Sequence, residues 1–241
     1  MIITPIKTRI FQEGENLFKF ITDYFKKISE GSVIVVTSKI VALSEKRTAI
    51  VKNIRTKEEL IRKESTIAIP TKYVWMTIKD NMIMASAGID ESNADGKVIL
   101  LPKDSFKAAR VLRNQLKKKY KIKNLGVVIT DSRTVPFRSG VAGVAMGYAG
   151  FRGLKDYTGK LDIFGRKFKY AKVNVADCLA TSAILVMGEG AERRPLAVIT
   201  VASVEFCQNV RRKELEINIE DDMYLPLFAK LKKLKAKKAS K

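Results

Sequence analysis

Histidine is missing altogether from the 241 residues of this chain. Its absence removes imidazole general bases, Ser–His dyads and histidine-ligated zinc from the available chemistry. Cysteine is nearly missing: Cys178 and Cys207 are the only two. Two are too few for a disulfide scaffold, and each lies in an apolar pattern that predicts a buried free thiol in a reduced compartment. No apolar run approaches the roughly 18–20 residues of a membrane span. The opening residues, Met1 to Lys7, lack a signal-peptide hydrophobic region and cleavage site. These absences predict a cytoplasmic protein with no membrane partner. No Gly-x-x-x-x-Gly-Lys-[Ser/Thr] occurs and no Gly-x-Gly-x-x-Gly opens a βαβ unit, so neither a P-loop nor a Rossmann cofactor site is expected.

Positive charge is what the chain has in excess: 46 Lys and Arg against 25 Asp and Glu, a net of +21. Part of this is a lysine-rich tail, residues 229–241, whose composition predicts a disordered, solvated segment. Without the tail the body, residues 1–228, is still basic and long enough for one large domain. A basic body suits an enzyme for anionic substrates, whose local concentration its field raises, or a nucleic-acid binder. Zinc-ligand sets, an aromatic RNA-binding signature and a helix-turn-helix pattern are all lacking, which argues against a nucleic-acid partner.

Strands and helices alternate irregularly along the body. Apolar residues at 17, 18, 21, 24, 25 and 28 predict a helix over 14–29. Val33 to Thr37 is a continuous β-branched run of the buried-strand kind. A short charged helix is expected over 56–65, and strands over 82–86 and 97–101. A helix capped by Asp104 or Ser105 is expected to run to about Tyr120. Residues 125–130 read as a buried strand ending at Asp131, 166–173 as a strand, 175–187 as a helix, 196–201 as a strand and 219–234 as a helix. The small residues of 140–150 permit close backbone approach. The pattern predicts an α/β or α+β fold around a mixed sheet.

Carboxylates stand out against this basic background. Asp90 and Asn93 are three apart in a turn and offer hard oxygen ligands, or else merely close an Asx turn. Asp131, with Ser132 beside it, follows the run 127–130, where α/β folds place their ligands, or else caps a turn. In 187–195, Met187-Gly188-Glu189-Gly190 lets a carboxylate reach a metal, or forms a helix C-cap, or both. Arg133, Arg138, Arg193 and Arg194 add fork-shaped anion-binding groups, with Arg138 inside a stretch of constrained backbone. With histidine absent, oxygen-ligated magnesium or manganese acting on phosphates is the chemistry that remains.

Several segments in fixed order resemble the CofE family, the γ-glutamyl ligases that add glutamate to the precursor of the deazaflavin coenzyme F420. They are Val35 to Val41, Ala87 to Asn93, Leu100-Leu101-Pro102, Val128 to Ser132, Phe137 to Gly147, Leu154 to Arg166, Val175 to Ala180 and Met187 to Gly190. The resemblance implies a mixed α/β fold of its own type, with an intertwined two-lobed protomer and a homodimer. It implies a nucleoside-triphosphate-dependent ligase with two divalent cations, magnesium or manganese. By motif match, Asp90, Asp131, Ser132 and Glu189 would be metal ligands, and Asp90, Asp131 and Arg138 would serve catalysis. Ser38, Lys39, Asn93 and the loop of Met187, Gly188, Glu189, Gly190, Arg193 and Arg194 would meet the nucleotide. The family's lysine after the first strand is replaced by Leu43, and its turn after Thr-Asp reads Arg133-Thr134-Val135-Pro136. GTP and ATP both stay open, as do a deazaflavin precursor and a folate or pterin acceptor. A binding protein that has lost catalysis and a nucleic-acid-associated basic protein are the alternatives.

Overall fold

A computed structural model describes residues 1–227. In chain order the elements are β1 (Ile2–Ile6), α1 (Leu17–Tyr24), β2 (Ser32–Thr37), α2 (Ser38–Ser44), β3 (Thr48–Ala49), α3 (Ile54–Glu64), β4 (Ile67–Pro70), β5 (Trp75–Lys79), β6 (Met82–Ala85) and β7 (Val98–Ile99). There follow α4 (Ser105–Tyr120), β8 (Leu125–Thr134), β9 (Val141–Ala149), β10 (Leu154–Asp156), β11 (Lys172–Asn174), α5 (Val175–Met187) and β12 (Leu196–Thr200). The chain divides into two compact units, one made of Met1–Arg47 with Pro102–Leu215 and the other of Thr48–Leu101 with, among the described residues, 216–227.

The first unit is built on a five-stranded sheet of order β1-β12-β2-β8-β9. Only the β2–β8 pair is parallel, so the sheet is mixed, as the sequence predicts. The parallel pair lies inside the sheet, and Val33, Ile34, Val35, Val127, Val128 and Ile129 are fully buried there. This double burial is why both strands read as unbroken apolar runs. On one face α5 lays Ala176, Leu179, Ala180, Ala183 and Met187 against Val33, Val35, Val128, Tyr148, Ala197 and Ile199. The spacing of that stripe is helical, and its small residues let the helix come close. At Gly143 a side chain would lie 2.6 Å from the Ala180 carbonyl oxygen.

A β-bulge sets the other contact. The β8–β9 register shifts between Ile129 and Thr130, which pair with Gly147 and Ala145 and leave Met146 as the extra residue. Gly143 and Gly147 would share a face in a regular strand. The bulge turns Gly147 to the opposite side, where a Cβ would lie 2.4 Å from the α4 backbone at Ser105. Helix α4 is capped by Asp104, whose side chain accepts the Lys107 N–H at 2.9 Å, one of the two caps the sequence offers.

The second unit holds a three-stranded antiparallel sheet, β4-β5-β6, a short β3–β7 pair and α3. Asn53 and Thr56 cap α3 reciprocally. Buried Thr77 ties β5 to its neighbours: its hydroxyl donates to the Met84 carbonyl at 2.7 Å and accepts the Ala87 N–H at 2.8 Å.

Several expectations change. The helix over 14–29 shortens to α1, because Asn16 accepts the Lys19 N–H as its N-cap and Phe25 turns extended. The strand over 166–173 is confined to β11; before it the chain forms only an isolated bridge, Leu161 to Lys167. The cysteines are not buried: Cys178 is exposed and Cys207 intermediate. Cys178 falls off the 176/179/180/183/187 stripe, so the helical period turns it away from the sheet. The strand expected to end at Asp131 runs on to Thr134, since Asp131 to Thr134 pair with Val141 to Val144. The helix expected over 219–234 does not begin where predicted: residues 219–224 form turns, 225–227 are helical, and the rest of the span, like the lysine-rich tail, lies outside the described residues. No helix among the described residues is long and apolar enough to cross a membrane.

Candidate functional site

Four segments of the first unit meet beyond the carboxyl end of β2, beside β8. Thr37 and Thr130 pair across the parallel β2–β8 ladder, so Ser38, which follows β2, comes beside Asp131 of β8. The Thr37 N–H donates to the Pro195 carbonyl at 3.0 Å, and the Thr8 N–H donates to that of Arg193 at 2.8 Å. The 187–195 loop, residues 37–39, residues 130–133 and residue 8 are thus tied together by main-chain bonds. In sheets with parallel strands, ligand sites form outside the carboxyl ends of those strands.

Two polar clusters stand there. In one, Ser132 Oγ donates to Glu189 Oε1 at 2.5 Å. In the other, Ser38 Oγ donates to Asp131 Oδ1 at 3.1 Å, and Arg133 Nη1 pairs with Asp131 Oδ2. The sequence sets Asp131 and Ser132 next to each other, but a pleated strand sends successive side chains to opposite faces. Ser132 pairs with Gly143, on the side of α5. Asp131 and Arg133 share the opposite side, where Arg133 Nη2 lies 3.1 Å from the Sδ of the bulge residue Met146. Arg133 is 8% exposed and its Nε has no partner among the described residues.

The glycine loop after α5 is shaped by its own contacts. Gly188 ends the helix at φ 83° and ψ 169°, a region essentially reserved for glycine. This is a helix cap by glycine, with the positive φ that only glycine adopts freely. The Gly190 N–H donates to Glu192 Oε2 at 2.8 Å. Arg194 Nη1 donates to the Val186 carbonyl at 3.2 Å, satisfying one of the last carbonyls of α5. Glu189 and the Arg193 side chain remain exposed, and Met187 is buried in the core at 2% exposure, so only its backbone is open to a ligand. Lys39 is half-buried beside Ser38. Arg138 sits exposed in the β8–β9 turn, with its N–H on the Val135 carbonyl at 3.1 Å, and its guanidinium is not brought into either cluster.

Asp90 and Asn93 belong to the second unit. Asp90 exchanges both main-chain bonds with Ile99, at 2.9 and 2.8 Å, and its Oδ1 accepts the Ser92 N–H at 2.7 Å. The Asx turn foreseen in the sequence is therefore formed. Beside it, Lys57 pairs with Glu91 at 2.8 Å. Asn93 is exposed with φ 53°.

The donors suit a hard cation in chemistry: carboxylate and hydroxyl oxygens, with no sulfur or imidazole. Magnesium commonly takes one or two carboxylates and completes its shell from waters and substrate phosphates, which Glu189 and Ser132 can serve. Among the described residues, no three His, Cys, Asp or Glu side chains gather into a cage. In sequence Arg133 reads as one of four anion-binding arginines, and its burial on Asp131 is not foreseen there. The signal was the i, i+2 alternation of Val127, Ile129, Asp131 and Arg133, visible only once the strand is carried to Thr134.

A sequence profile described as F420-0:gamma-glutamyl ligase matches residues 5–200. The coenzyme F420:L-glutamate ligase of Methanococcus maripaludis strain C7 is 32% identical over 230 residues, covering 88% of this chain and 91% of that protein. The protein of that name from Methanopyrus kandleri is 33% identical, over 80% and 83% of the two chains. The one from Methanocaldococcus jannaschii is 32% identical, over 92% and 96%.

Proposed function

The chain belongs to the F420-0:gamma-glutamyl ligase family, and from that premise we propose that it joins the amine of L-glutamate to a carboxylate of an anionic acceptor at the expense of GTP or ATP. It is an enzyme that ligates glutamate; the acceptor is the deazaflavin precursor F420-0 or a folate- or pterin-type acid. The observation that carries this reading is the meeting of Ser132 with Glu189, beside Ser38 and Asp131, at the carboxyl ends of the parallel strands.

Amide formation needs the acceptor carboxylate activated. One of its oxygens attacks the terminal phosphorus, the nucleoside diphosphate leaves, and an acyl phosphate results. The glutamate amine then attacks the acyl carbon, inorganic phosphate departs with the acceptor's oxygen, and the amine gives up a proton. No covalent enzyme intermediate is needed, so the lack of histidine is no obstacle. Glu189 and Ser132 would hold magnesium or manganese, which when bound offsets charge on the phosphate oxygens. Arg133, locked on Asp131, holds a guanidinium beside that carboxylate near the end of β8. The exposed Arg193 and the half-buried Lys39 add to a field that draws anionic substrates. Positioning and preorganised charge supply the acceleration. A homodimer, as the resemblance implies, is part of the proposal.

An acceptor labelled with ¹⁸O in its carboxylate tests the reading. Incubation with glutamate, GTP or ATP and Mn²⁺ is expected to transfer one label to inorganic phosphate and to release phosphate only when glutamate and acceptor are both present. Binding of nucleotide without turnover on either acceptor class would instead identify a chain that has lost catalysis.

A further inference from the structure

Asp131 already has a cation. Arg133 Nη1 donates to its Oδ2 and also to the Ser132 carbonyl at 2.9 Å, and Ser38 takes up Oδ1. The guanidinium is buried, wedged between the β8 backbone and Met146, on a strand paired residue by residue with β9 from Asp131 to Thr134. It is therefore a built part of the sheet and not a surface side chain that happens to reach an acid. Glu189, the other carboxylate here, meets Ser132, which the pleat sends to the opposite face.

We infer that Arg133 takes the place of one of two divalent cations, so that the chain works with a single exchangeable cation, held on the Ser132–Glu189 side. The inference rests on the ligase reading above. A guanidinium compensates the charge of the carboxylate it occupies, is permanently charged, and, being part of the chain, cannot dissociate. A divalent cation on Asp131 would have to displace a desolvated arginine from the carboxylate oxygen it occupies. Fixed in a paired strand, Arg133 keeps the Asp131 carboxylate compensated whatever the concentration of free metal.

Counting bound Mn²⁺ by electron paramagnetic resonance, on the full chain with a non-hydrolysable GTP or ATP analogue, tests this without relying on activity. One Mn²⁺ per chain is expected for the unaltered protein and for Asp131→Asn, and none for Glu189→Gln. Arg133→Met, which keeps length and apolar bulk but frees Asp131, is expected to gain a second. Should Arg133→Met not fold, Asp131→Asn decides: loss of the single Mn²⁺ on that change overturns the inference, because Asp131 would then be a metal ligand. Two Mn²⁺ on the unaltered chain overturn it while leaving the ligase reading intact. No Mn²⁺ and no nucleotide bound by the folded chain overturn both.

Discussion

Ser132 and Glu189 are 57 residues apart in sequence and 2.5 Å apart in space, hydroxyl to carboxylate. The contact closes the end of β8 against the loop that follows α5. Both groups reach solvent, so the pair is available to a ligand and is not structural filling. Exposed polar groups held in place by a rigid scaffold are where chemistry is expected.

Glu189→Gln keeps an oxygen for Ser132 and removes the charge. Glutamate ligation is expected to fall by about 10²-fold or more. Stability is expected to stay within about 0.5 kcal/mol, as for other exposed changes. Steady-state assay and urea denaturation of the same preparation check both halves; equal loss of stability and activity would make Glu189 a structural residue.

Gly188→Ala forces a side chain into a backbone region that non-glycine residues avoid, with the new Cβ 2.5 Å from the Glu192 carboxyl carbon. The expected cost is about 1–3 kcal/mol. Because the strain sits one residue before Glu189, activity should fall as well. Denaturant midpoints and ligation rates measured together show whether the loop needs this conformation.

Gly147→Ala places a Cβ 2.4 Å from the α4 backbone, where nothing flexible can yield. Overpacking of this kind costs about 1–3 kcal/mol. The same change at Gly159, where nothing lies within 4 Å of the added Cβ, meets no packing partner and differs only through its positive φ. Thermal melts of the two variants compare close packing with backbone strain alone.

Tyr148, fully buried, donates to Glu214 Oε1 at 2.5 Å, and the same oxygen accepts the Gly153 N–H at 2.7 Å. Burial first, then the bond to Glu214, pushes the phenol well above its ordinary value near 10. The unfolded chain releases this proton at the ordinary value and the folded chain does not, so stability drops as pH rises past about 10. Tyr148→Phe should cost about 1–3 kcal/mol at neutral pH and flatten the alkaline decline. Urea midpoints from pH 8 to 11 for both proteins give the comparison; parallel slopes would remove Tyr148 from the account.

Much of the scaffold is legible along the chain. The buried runs 33–36 and 127–129 announce strands covered on both sides, and the stripe 176/179/180/183/187 announces a helix lying on them. The missing histidine removes imidazole chemistry, and the acids beside hydroxyls mark Asp131, Ser132 and the glycine loop as candidates. These follow from composition and from periods of 2 and 3.6, which are local properties.

What the tertiary structure decided is non-local. Residues 131–134 become strand only because 141–144 pair with them, and that extension turns Asp131 and Ser132, neighbours in sequence, to opposite faces. The bulge at Met146 likewise decides which helix each glycine of β9 meets. Arg133 is buried on Asp131 and Cys178 is left exposed for the same reason: strand and helix periods fix which residues share a face, but only packing fixes which face is inside.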